Sequence, residues 1–552
     1  MKRYIAALAL TLAAQCTYTT LAQGLAAEIT VDRTAEAPLP SASPLPSVFP
    51  SFPSMPRPSL DISPVRYAHV SDFAPEGGAL PLPVFTGLTL SDSLPGYALL
   101  GYFPAYNLKA RLAYRLYSDE ATRFDAGAGF DGHSYHFSGA DDIRHRVSDN
   151  NGGLYLRMMH DFGNGWLGGV SGAYRHTSLT MPGCAGLSRN SHINAADAEL
   201  AVSNRRLADF KARMRYEFTG VADSVCANML RKLPGASDSR IVLDASVGVP
   251  VSRSHDVSLD FGAGLDYLHS SGCSAVSMDR AETTDQAIVR LNPALRYDGR
   301  HFLAKLGVRT DIGLNSPQSA FHMAPDVMLS WIPSGRFAIF ATASGGEEFR
   351  TLRWMYGQTP FSLGAMAPFR TFVPLDSRFG FNVRPLADFT VELYGGYVAA
   401  RRLPVFSIDL YGLRPAGYTA CNLAGWNIGA GLRYDFGRTG HAEAEARHYG
   451  KGDPASADLA RTVISVTLAL SPMENLDISA GYTFRSGRRY LFGAYEGCLS
   501  NVSDLSLGAS YAVTRQLSVF LTFDNILCRR HDILPGLRSR SLHGLAGVSY
   551  RF

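Results

Sequence analysis

The sequence lacks several features that would indicate common classes of protein. It contains no run of about 18 apolar residues, so a membrane-spanning helix is excluded. A formal net charge of +4 over 552 residues is too small to indicate nucleic-acid binding. The Gly-x-Ser-x-Gly, His-Glu-x-x-His and Gly-Lys-Thr motifs of nucleophilic, zinc and phosphate sites are also missing. We therefore predict no enzyme activity, no catalytic residues, no cofactor and no metal site.

Glycine and aromatic residues are abundant instead, with 53 Gly, 30 Phe and 26 Tyr. The mean hydropathy is −0.02, as expected where apolar and polar residues alternate along strands and cancel. Residues 426–436 show this alternation, with apolar side chains at every even position and Asn, Gly, Arg or Asp between them. The same pattern recurs at 257–267, 478–484 and 505–511. Such strands, of about 9 to 14 residues, are typical of a transmembrane β-barrel, which we place at residues 89–552.

Short turns separate pairs of these strands, and longer loops are expected at the opposite end. Ten turns are predicted at 119–120, 162–166, 203–206, 252–254, 297–300, 333–336, 384–388, 437–440, 471–475 and 514–516. Aromatic residues beside them, such as Phe162, Trp166, Trp331, Phe337 and Phe436, resemble an interfacial girdle. Ten hairpins plus one strand at each end predict an all-β, antiparallel barrel of about 22 strands with both termini periplasmic. A β-propeller or β-sandwich explains the alternation but not the asymmetry between turns and loops.

The C-terminal strand carries a further indication of compartment. Gly547, Tyr550 and the terminal Phe552 close an alternating strand with an aromatic residue. This ending is the pattern by which outer-membrane barrels are recognised for insertion. We therefore predict the bacterial outer membrane as the location, with lipid around the barrel and the barrel-assembly machinery as a partner of this strand.

The N-terminus predicts export. Lys2 and Arg3 precede an apolar stretch at 4–14, and small residues lead to a cleavage site before Gln23, so residues 1–22 are expected to form a signal peptide. A buried helix is one alternative. A lipoprotein anchored at Cys16 is another, although Gln15 stands where a small residue is expected.

Residues 23–88 are predicted to form a periplasmic or lumen-threading tail. Their central part is rich in proline and serine, which favours extended polyproline geometry and cannot build a core. The prolines of this part are Pro38, Pro40, Pro44, Pro46, Pro50, Pro53, Pro56, Pro58 and Pro64.

Charged residues fall on the strand faces opposite the apolar ones. A charge facing lipid would cost roughly 2–4 kcal/mol at the bilayer midplane, so these residues are predicted to line the lumen. They form either a ladder of salt bridges and water or a surface, basic near the first strands, that favours anionic solutes. The predicted lumen-lining charges are Lys109, Arg111, Arg115, Arg123, Asp125, Lys211, Arg213, Arg215, Arg290, Arg296, Glu443, Glu445 and Arg447.

Six cysteines remain after the predicted cleavage, and all are expected in long loops. They are Cys184, Cys226, Cys273, Cys421, Cys498 and Cys528. Because these loops share one oxidising face, disulfides are one interpretation, with Cys184–Cys226 and Cys498–Cys528 the favoured pairs. Free thiols are the second. A metal site is a third, which the missing Cys-x-x-Cys spacing disfavours.

The strand number, the long outer loops and the Tyr550-Arg-Phe552 ending resemble those of TonB-dependent receptors. That family carries a globular plug before its barrel, whereas residues 23–88 are Pro-rich. The resemblance therefore implies a member or offshoot without a plug. Residues 27–31 are similar to the short segment that engages TonB, or form a coincidental tail sequence, and the Gln23 start resembles proteins of Bacteroidota.

Two functions follow from this organisation. The first is a TonB-dependent-receptor-like transporter or channel for solutes, whose wide lumen must be obstructed by loops or by the tail. The alternative is a structural or docking barrel of an outer-membrane complex, whose lumen is filled or capped by a partner protein. In either case residues 23–88 are expected to contact a periplasmic partner, either TonB or another protein.

Overall fold

The computed structural model describes residues 94–552, apart from short segments at 105, 139–143, 183–187, 205–208, 227–229, 233–234, 252–255, 274–280, 316–320, 359–367, 409–416, 451–459, 493–494 and 535–536. The predicted signal peptide at 1–22 and the tail at 23–88 lie outside the described residues. Nearly all of the described chain is strand, because its side chains alternate in polarity with the period of two that a pleated strand requires.

Twenty-seven strands are described, and 22 of them form one closed antiparallel wall. The N-terminal strand pairs with the C-terminal strand, with Tyr97 opposite Arg551 and Tyr102 opposite Ala546, and this pairing closes the ring. The predicted barrel of about 22 strands is thereby confirmed.

The wall strands, in chain order, are β1 (Gly96–Phe103), β2 (Asn107–Ser118), β3 (Thr122–Ser138), β4 (Arg144–Gly163), β5 (Trp166–Pro182), β6 (Ser188–Asn204), β7 (Asp209–Cys226), β9 (Ala236–Pro250), β10 (Val257–Cys273), β11 (Ala281–Asp298), β12 (Phe302–Leu314), β13 (Phe321–Ser334), β14 (Phe337–Arg350), β15 (Phe369–Leu386), β16 (Phe389–Ile408), β17 (Gly417–Asp435), β18 (Gly440–Tyr449), β19 (Thr462–Met473), β20 (Leu476–Ser486), β23 (Val502–Ala512), β24 (Leu517–Asp524) and β27 (His543–Arg551).

The remaining elements are short and belong to the connections. They are the strands β8 (Leu230–Lys232), β21 (Arg489–Phe492), β22 (Tyr495–Cys498), β25 (Asp532–Leu534) and β26 (Leu537–Arg538), the helix α1 (Leu352–Gln358) and the 3₁₀ turn Gly437–Thr439. No helix among the described residues is long and apolar enough to cross a bilayer.

Eight of the ten predicted short turns lie within the described residues, and all eight occur where they were predicted, at one end of the barrel. The predicted turns at 203–206 and 252–254 lie partly or wholly outside the described residues. Between β4 and β5 the turn residues Asn164 and Gly165 have φ angles of 51° and 82°. Two consecutive positive φ angles match the right-handed twist of a hairpin, which explains the Asn-Gly pair. The start of β1 and the end of β27 lie at this same short-turn end.

The structure corrects the predicted strand lengths. β3 and β5 contain 17 residues each and β4 contains 20, well beyond the length needed to cross a bilayer. The excess lies at the end opposite the short turns, where strands continue to pair in segments expected to be loops. By contrast β1 and β24 contain 8 residues and β27 contains 9, so the wall is lowest at the closing seam.

The outward face of the wall carries an apolar belt. Leu154 and Leu156 of β4 are 50% and 47% exposed, which is stable only against hydrocarbon. Aromatic side chains border the belt at the short-turn end, among them Phe162, Trp166 and Phe436. Short turns of outer-membrane barrels face the periplasm, so the opposite end is the outer end.

The closing seam explains the glycine of the C-terminal strand. Gly547 of β27 lies opposite Gly101 of β1, and a Cβ atom at 547 would collide with the carbonyl oxygen of Leu100. Phe552 exchanges backbone hydrogen bonds with Gly96, and its ring stacks on that of Tyr114 at 6.1 Å. These contacts complete the ring, while recognition of this strand by the assembly machinery stays a prediction.

Candidate functional site

A bend in β14 directs the following chain into the barrel. Pairing with β15 shifts register between Ser344 and Gly346, and Gly346 has a φ angle of 133°. A side chain at this position would be strained by the backbone and would collide with the guanidinium of Arg309. Glycine is therefore required where the strand leaves the wall.

A charged clamp holds the bend. The buried carboxylate of Asp311 on β12 accepts a hydrogen bond from the backbone N–H of Glu347 at 2.7 Å. Arg309 pairs with the same carboxylate at 3.0 Å and donates to the carbonyl oxygen of Glu347 at 2.7 Å. The side chain of Glu347 is paired with Arg370 of β15. The backbone N–H and the carbonyl oxygen of Glu347 are thus both fixed by charge-assisted hydrogen bonds.

The helix α1 follows the bend and contacts opposite sides of the wall. The backbone N–H of Leu352 donates to Asp238 of β9 at 2.6 Å, and Arg353 is ion-paired with Asp197 of β6. The hydroxyl of Tyr418 on β17 donates to the carbonyl oxygen of Met355 at 2.7 Å. Since β6 and β17 lie about half a circumference apart in strand order, α1 bridges the lumen.

An apolar cluster, hereafter the lid cluster, surrounds the helix at the outer end. It joins inward-facing side chains of the tall strands to α1, β17 and two outer connections, and all its members are nearly inaccessible to water. They are Phe137, Val147, Leu179, Met181, Ile193, Val221, Ala236, Leu352, Met355, Tyr356, Tyr418, Leu499, Ile533 and Leu537. Each large aliphatic or aromatic side chain contributes about 1.5–3 kcal/mol on burial, so the cluster is a substantial closure.

The two outer connections of the lid cluster are tied to each other by one arginine. The buried Arg488 donates to the carbonyl oxygens of Asp532 at 2.7 Å, Ser500 at 3.3 Å and Ile533 at 3.3 Å. The hydroxyl of Ser500 accepts from the backbone N–H of Asp532 at 2.7 Å. The β25–β26 hairpin and the segment after β22 therefore enter the barrel mouth as one unit.

The predicted lumen-lining charges lie on the strand face opposite the apolar belt, and most of them form ion pairs. The shortest nitrogen–oxygen distances are Lys109–Asp131 3.9 Å, Arg115–Asp125 3.2 Å, Arg123–Asp125 2.8 Å, Lys211–Asp209 3.0 Å, Arg213–Asp244 3.0 Å, Arg215–Glu217 2.7 Å, Arg290–Asp311 3.3 Å, Arg296–Asp298 2.9 Å, Arg433–Glu443 2.9 Å and Arg447–Glu445 3.4 Å. Arg111 lies on the same face of β2, opposite Gly129 of β3.

These pairs continue around one side of the wall. Arg240 bridges Glu217 of β7 and Asp266 of β10, at 3.4 Å and 2.6 Å. Arg290 of β11 reaches Asp266 at 3.9 Å and Asp311 of β12 at 3.3 Å. Acids and bases alternate along this chain of contacts, which favours the salt-bridge ladder over a surface selective for anions.

The cysteines lie differently from the prediction that all occupy loops. Cys226 and Cys273 are the last residues of β7 and β10, and Cys421 lies within β17, because these strands extend beyond the belt. Cys498 and Cys528 are free thiols, so the predicted bridge between them is not formed. Cys184 lies outside the described residues. Over the described ranges no group of three His, Cys, Asp or Glu side chains is arranged to hold a metal ion.

The helix and the lid cluster were not identified from the sequence. The available indication was local: Gly345 and Gly346 interrupt an alternating strand, and Leu352-Arg-Trp-Met-Tyr356 then departs from strand periodicity.

The fold is similar to that of solved outer-membrane receptors. A mutant of the ferric enterobactin receptor PfeA of Pseudomonas aeruginosa has a TM-score of 0.61 at 10% identity, covering 83% of this chain and 80% of that chain. FpvA of P. aeruginosa, bound to heterologous pyoverdines, has a TM-score of 0.61 at 11% identity, and the match covers 83% of this chain and 72% of that chain. The siderophore receptor PirA of Acinetobacter baumannii has a TM-score of 0.59 at 9% identity, and the match covers 83% of this chain and 80% of that chain.

No protein-family model and no curated protein matches the sequence. The likeness to solved structures, at about one identical residue in ten, therefore concerns the fold. Together with the closed 22-strand wall and its apolar belt, it identifies the chain as an outer-membrane β-barrel with the architecture of siderophore receptors.

Proposed function

We propose that this barrel is a gated transport protein whose lumen is closed at the outer end by its own segments. The observation that carries the proposal is the bridge formed by α1, which is ion-paired with Asp197 on one side and hydrogen-bonded to Tyr418 on the other. A barrel of this strand number encloses a lumen wide enough to need obstruction. A closure made of packed side chains keeps the envelope sealed until a solute displaces it.

The similarity of the fold to solved receptors suggests the class of solute that we propose. The similar receptors include a mutant of PfeA in complex with enterobactin and the ferripyoverdine receptor of P. aeruginosa bound to ferripyoverdine. By that likeness we propose that this chain also captures a small solute at its outer face before passage. Since the wall charges are largely paired, recognition is expected to depend on the lid segments rather than on a net lumen potential.

A second part of the proposal concerns the role of the N-terminal tail. Residues 23–88 take the place of a globular plug at the periplasmic side and contact a periplasmic partner such as TonB. Their Pro-rich composition supports this role, because an extended segment with little conformational freedom can thread a lumen or be engaged without unfolding a domain.

Single-channel conductance of the full-length protein in a planar bilayer tests the closure. The wild type is expected to remain closed for most of the record. The double variant Arg353→Ala/Met355→Asp removes one wall contact and places a charge in the lid cluster, so it should open frequently. The matched control, Arg433→Ala/Glu443→Ala, removes an exposed ion pair near the short turns and should behave as the wild type.

Deletion of residues 23–88 separates the two obstructions. Opening caused by the tail deletion alone, with the lid variant closed, would assign the closure to the tail. If the lid variant, the tail deletion and their combination all remain closed, the transport proposal is wrong and the docking alternative stands. A partner protein recovered with the barrel from native membranes would then be the next observation to seek.

A further inference from the structure

A groove interrupts the apolar belt on the lipid-facing side of β15–β19. Its floor is made of the small outward residues Gly395, Ala430 and Ala446, and its cavity measures about 490 Å³. Large side chains bound one end, where Phe379 of β15 is 62% exposed and Phe381 lies two residues nearer the short turns. We call this depression the belt groove.

Strand register shows that the belt groove runs across the wall. Phe379, Gly395, Ile428, His448 and Thr462 are successive cross-strand partners from β15 to β19. Four strand spacings of about 4.8 Å make the groove roughly 19 Å long, and three residues along each strand make it about 10 Å wide. Its footprint of about 200 Å² is far below the roughly 800 Å² per partner of a stable protein interface. The groove therefore suits one narrow chain better than a second protein.

The two ends of the belt groove lie at different depths in the membrane. Phe379 precedes the last residue of β15, Leu386, by seven residues, and Thr462 precedes the last residue of β19, Met473, by eleven. With a rise of about 3.3 Å per residue and a tilt of about 40°, these ends lie about 18 Å and about 28 Å above the short turns. The groove therefore climbs through the outer half of a hydrocarbon core about 30 Å thick.

The chemistry of the belt groove changes along this climb. Its lower end is bounded by the rings of Phe379 and Phe381. At its upper end Nδ1 of His448 contacts Oγ1 of Thr462 at 2.9 Å, and the ring of Trp426 lies 6.3 Å from the ring of His448. Tryptophan is typical of the boundary between membrane and water. An apolar deep end and a polar shallow end match a lipid whose chain points into the bilayer.

We propose that the belt groove binds one hydrocarbon chain of an outer-leaflet lipid, whose polar end lies beside His448 and Thr462. The groove is continuous with the apolar belt, which hydrocarbon already covers, and an empty groove would forfeit contacts along its floor. Because lipid chains and side chains are equally apolar, binding depends on dispersion contacts rather than on the hydrophobic effect. A straight saturated chain therefore fills the groove better than a chain bent by a cis double bond.

Native mass spectrometry of the purified full-length protein tests the proposal. The probe is dipalmitoyl phosphatidylethanolamine titrated into detergent micelles, with dioleoyl phosphatidylethanolamine and chain-free glycerophosphoethanolamine as separate arms. The variant Gly395→Leu/Ala430→Leu fills the floor, and a Cβ atom at Gly395 meets only the carbonyl oxygen of Asn427, at 3.9 Å. Loss of about ten atom contacts with the chain corresponds to roughly tenfold weaker retention of the saturated lipid.

The matched control, Gly172→Leu/Ala128→Leu, makes the same replacements at outward positions of β5 and β3. A Cβ atom at Gly172 meets only the carbonyl oxygen of Asp197, at 3.6 Å. Ala128 lies between the outward residues Leu112 and Leu154. This control should retain the saturated lipid as the wild type does, and gel mobility before and after heating verifies that every variant is folded.

Equal retention of the saturated lipid by the groove variant and the wild type overturns the proposal. So does displacement of the lipid by an equal concentration of glycerophosphoethanolamine, because the headgroup would then carry the binding. Equal retention of the saturated and the unsaturated lipid by the wild type also overturns it, and this comparison needs no folded variant. A wild-type dimer that the groove variant fails to form would assign the groove to a second copy of this chain instead.

Discussion

Replacement of Gly346 by alanine should unlock α1 without dismantling the barrel. The backbone at φ 133° disfavours any L side chain, at a cost of roughly 1–3 kcal/mol. The new methyl group also displaces Arg309, whose charged hydrogen bond to the carbonyl of Glu347 contributes about 1.5–3 kcal/mol. The clamp is then weakened by about 2.5–6 kcal/mol, so the closed state should lose at least about 50-fold in population relative to the open state.

The assay for Gly346→Ala is open probability in planar bilayers, with gel mobility before and after heating to report barrel integrity. Gly335→Ala provides a matched control in the turn that precedes the same strand, because a Cβ atom there meets nothing within 4 Å. An open probability equal to that of Gly335→Ala, with a folded barrel, would refute the view that this bend holds the lid. Loss of the folded barrel would show instead that the clamp supports the wall itself.

Three further predictions concern the ends and the rim. Gly547→Val should greatly reduce the folded fraction after refolding into detergent, because its side chain collides with the facing strand at the closing seam. Tyr117 and backbone N–H groups of the first turn hold the pKa of Asp119 below its ordinary value. The ionised Asp119 carboxylate therefore stabilises the folded state near neutral pH, and this stabilisation is lost as pH falls through the lowered pKa. Asp119→Asn should accordingly flatten the acid limb of a pH–stability curve. Cys498 and Cys528 are free and exposed, so both should react with a maleimide without prior reduction.

Each of these predictions has an internal comparison. Gly425→Ala, where a Cβ meets nothing within 4 Å, should refold as the wild type. An unchanged acid limb for Asp119→Asn would show that the turn carboxylate adds no stability. Maleimide labelling of Cys498 and Cys528 only after reduction would restore the disulfide interpretation.

The strands of the wall could be predicted from the sequence because the interactions that form them depend on residues close together in the chain. A strand against lipid must alternate with a period of two, and a tight hairpin needs Gly, Asn, Asp or Pro, so strands and turns are visible in short windows. Strand number and the faces of charged residues such as Arg213 and Glu445 follow from these two rules. Their ion-pair partners do not, because partners depend on register between strands.

The outer half of the barrel could not be predicted for a related reason. Along β5 the apolar positions are even at Trp166, Val170 and Tyr174, then odd at Leu179 and Met181. The apolar residues switch from even to odd positions because the lower half of the strand has its apolar face outward against lipid, whereas the upper half has it inward against the lid cluster. In sequence this change resembles the end of a strand, which explains why the strands were predicted too short and Cys421 was assigned to a loop. The lid cluster joins residues more than 350 positions apart, beyond the reach of any periodicity.

The phase change gives the tall strands two different kinds of core. Their lower halves are stable because hydrocarbon covers the outward face, and their upper halves because protein covers the inward face. Bilayer thickness acts on the first and not on the second, whereas temperature and denaturant act on the lid cluster as they act on the core of a water-soluble domain. We therefore expect the upper and lower halves of one polypeptide wall to unfold separately. Under the proposed function, this would let the upper half loosen for a solute while the lower half stays folded in the membrane.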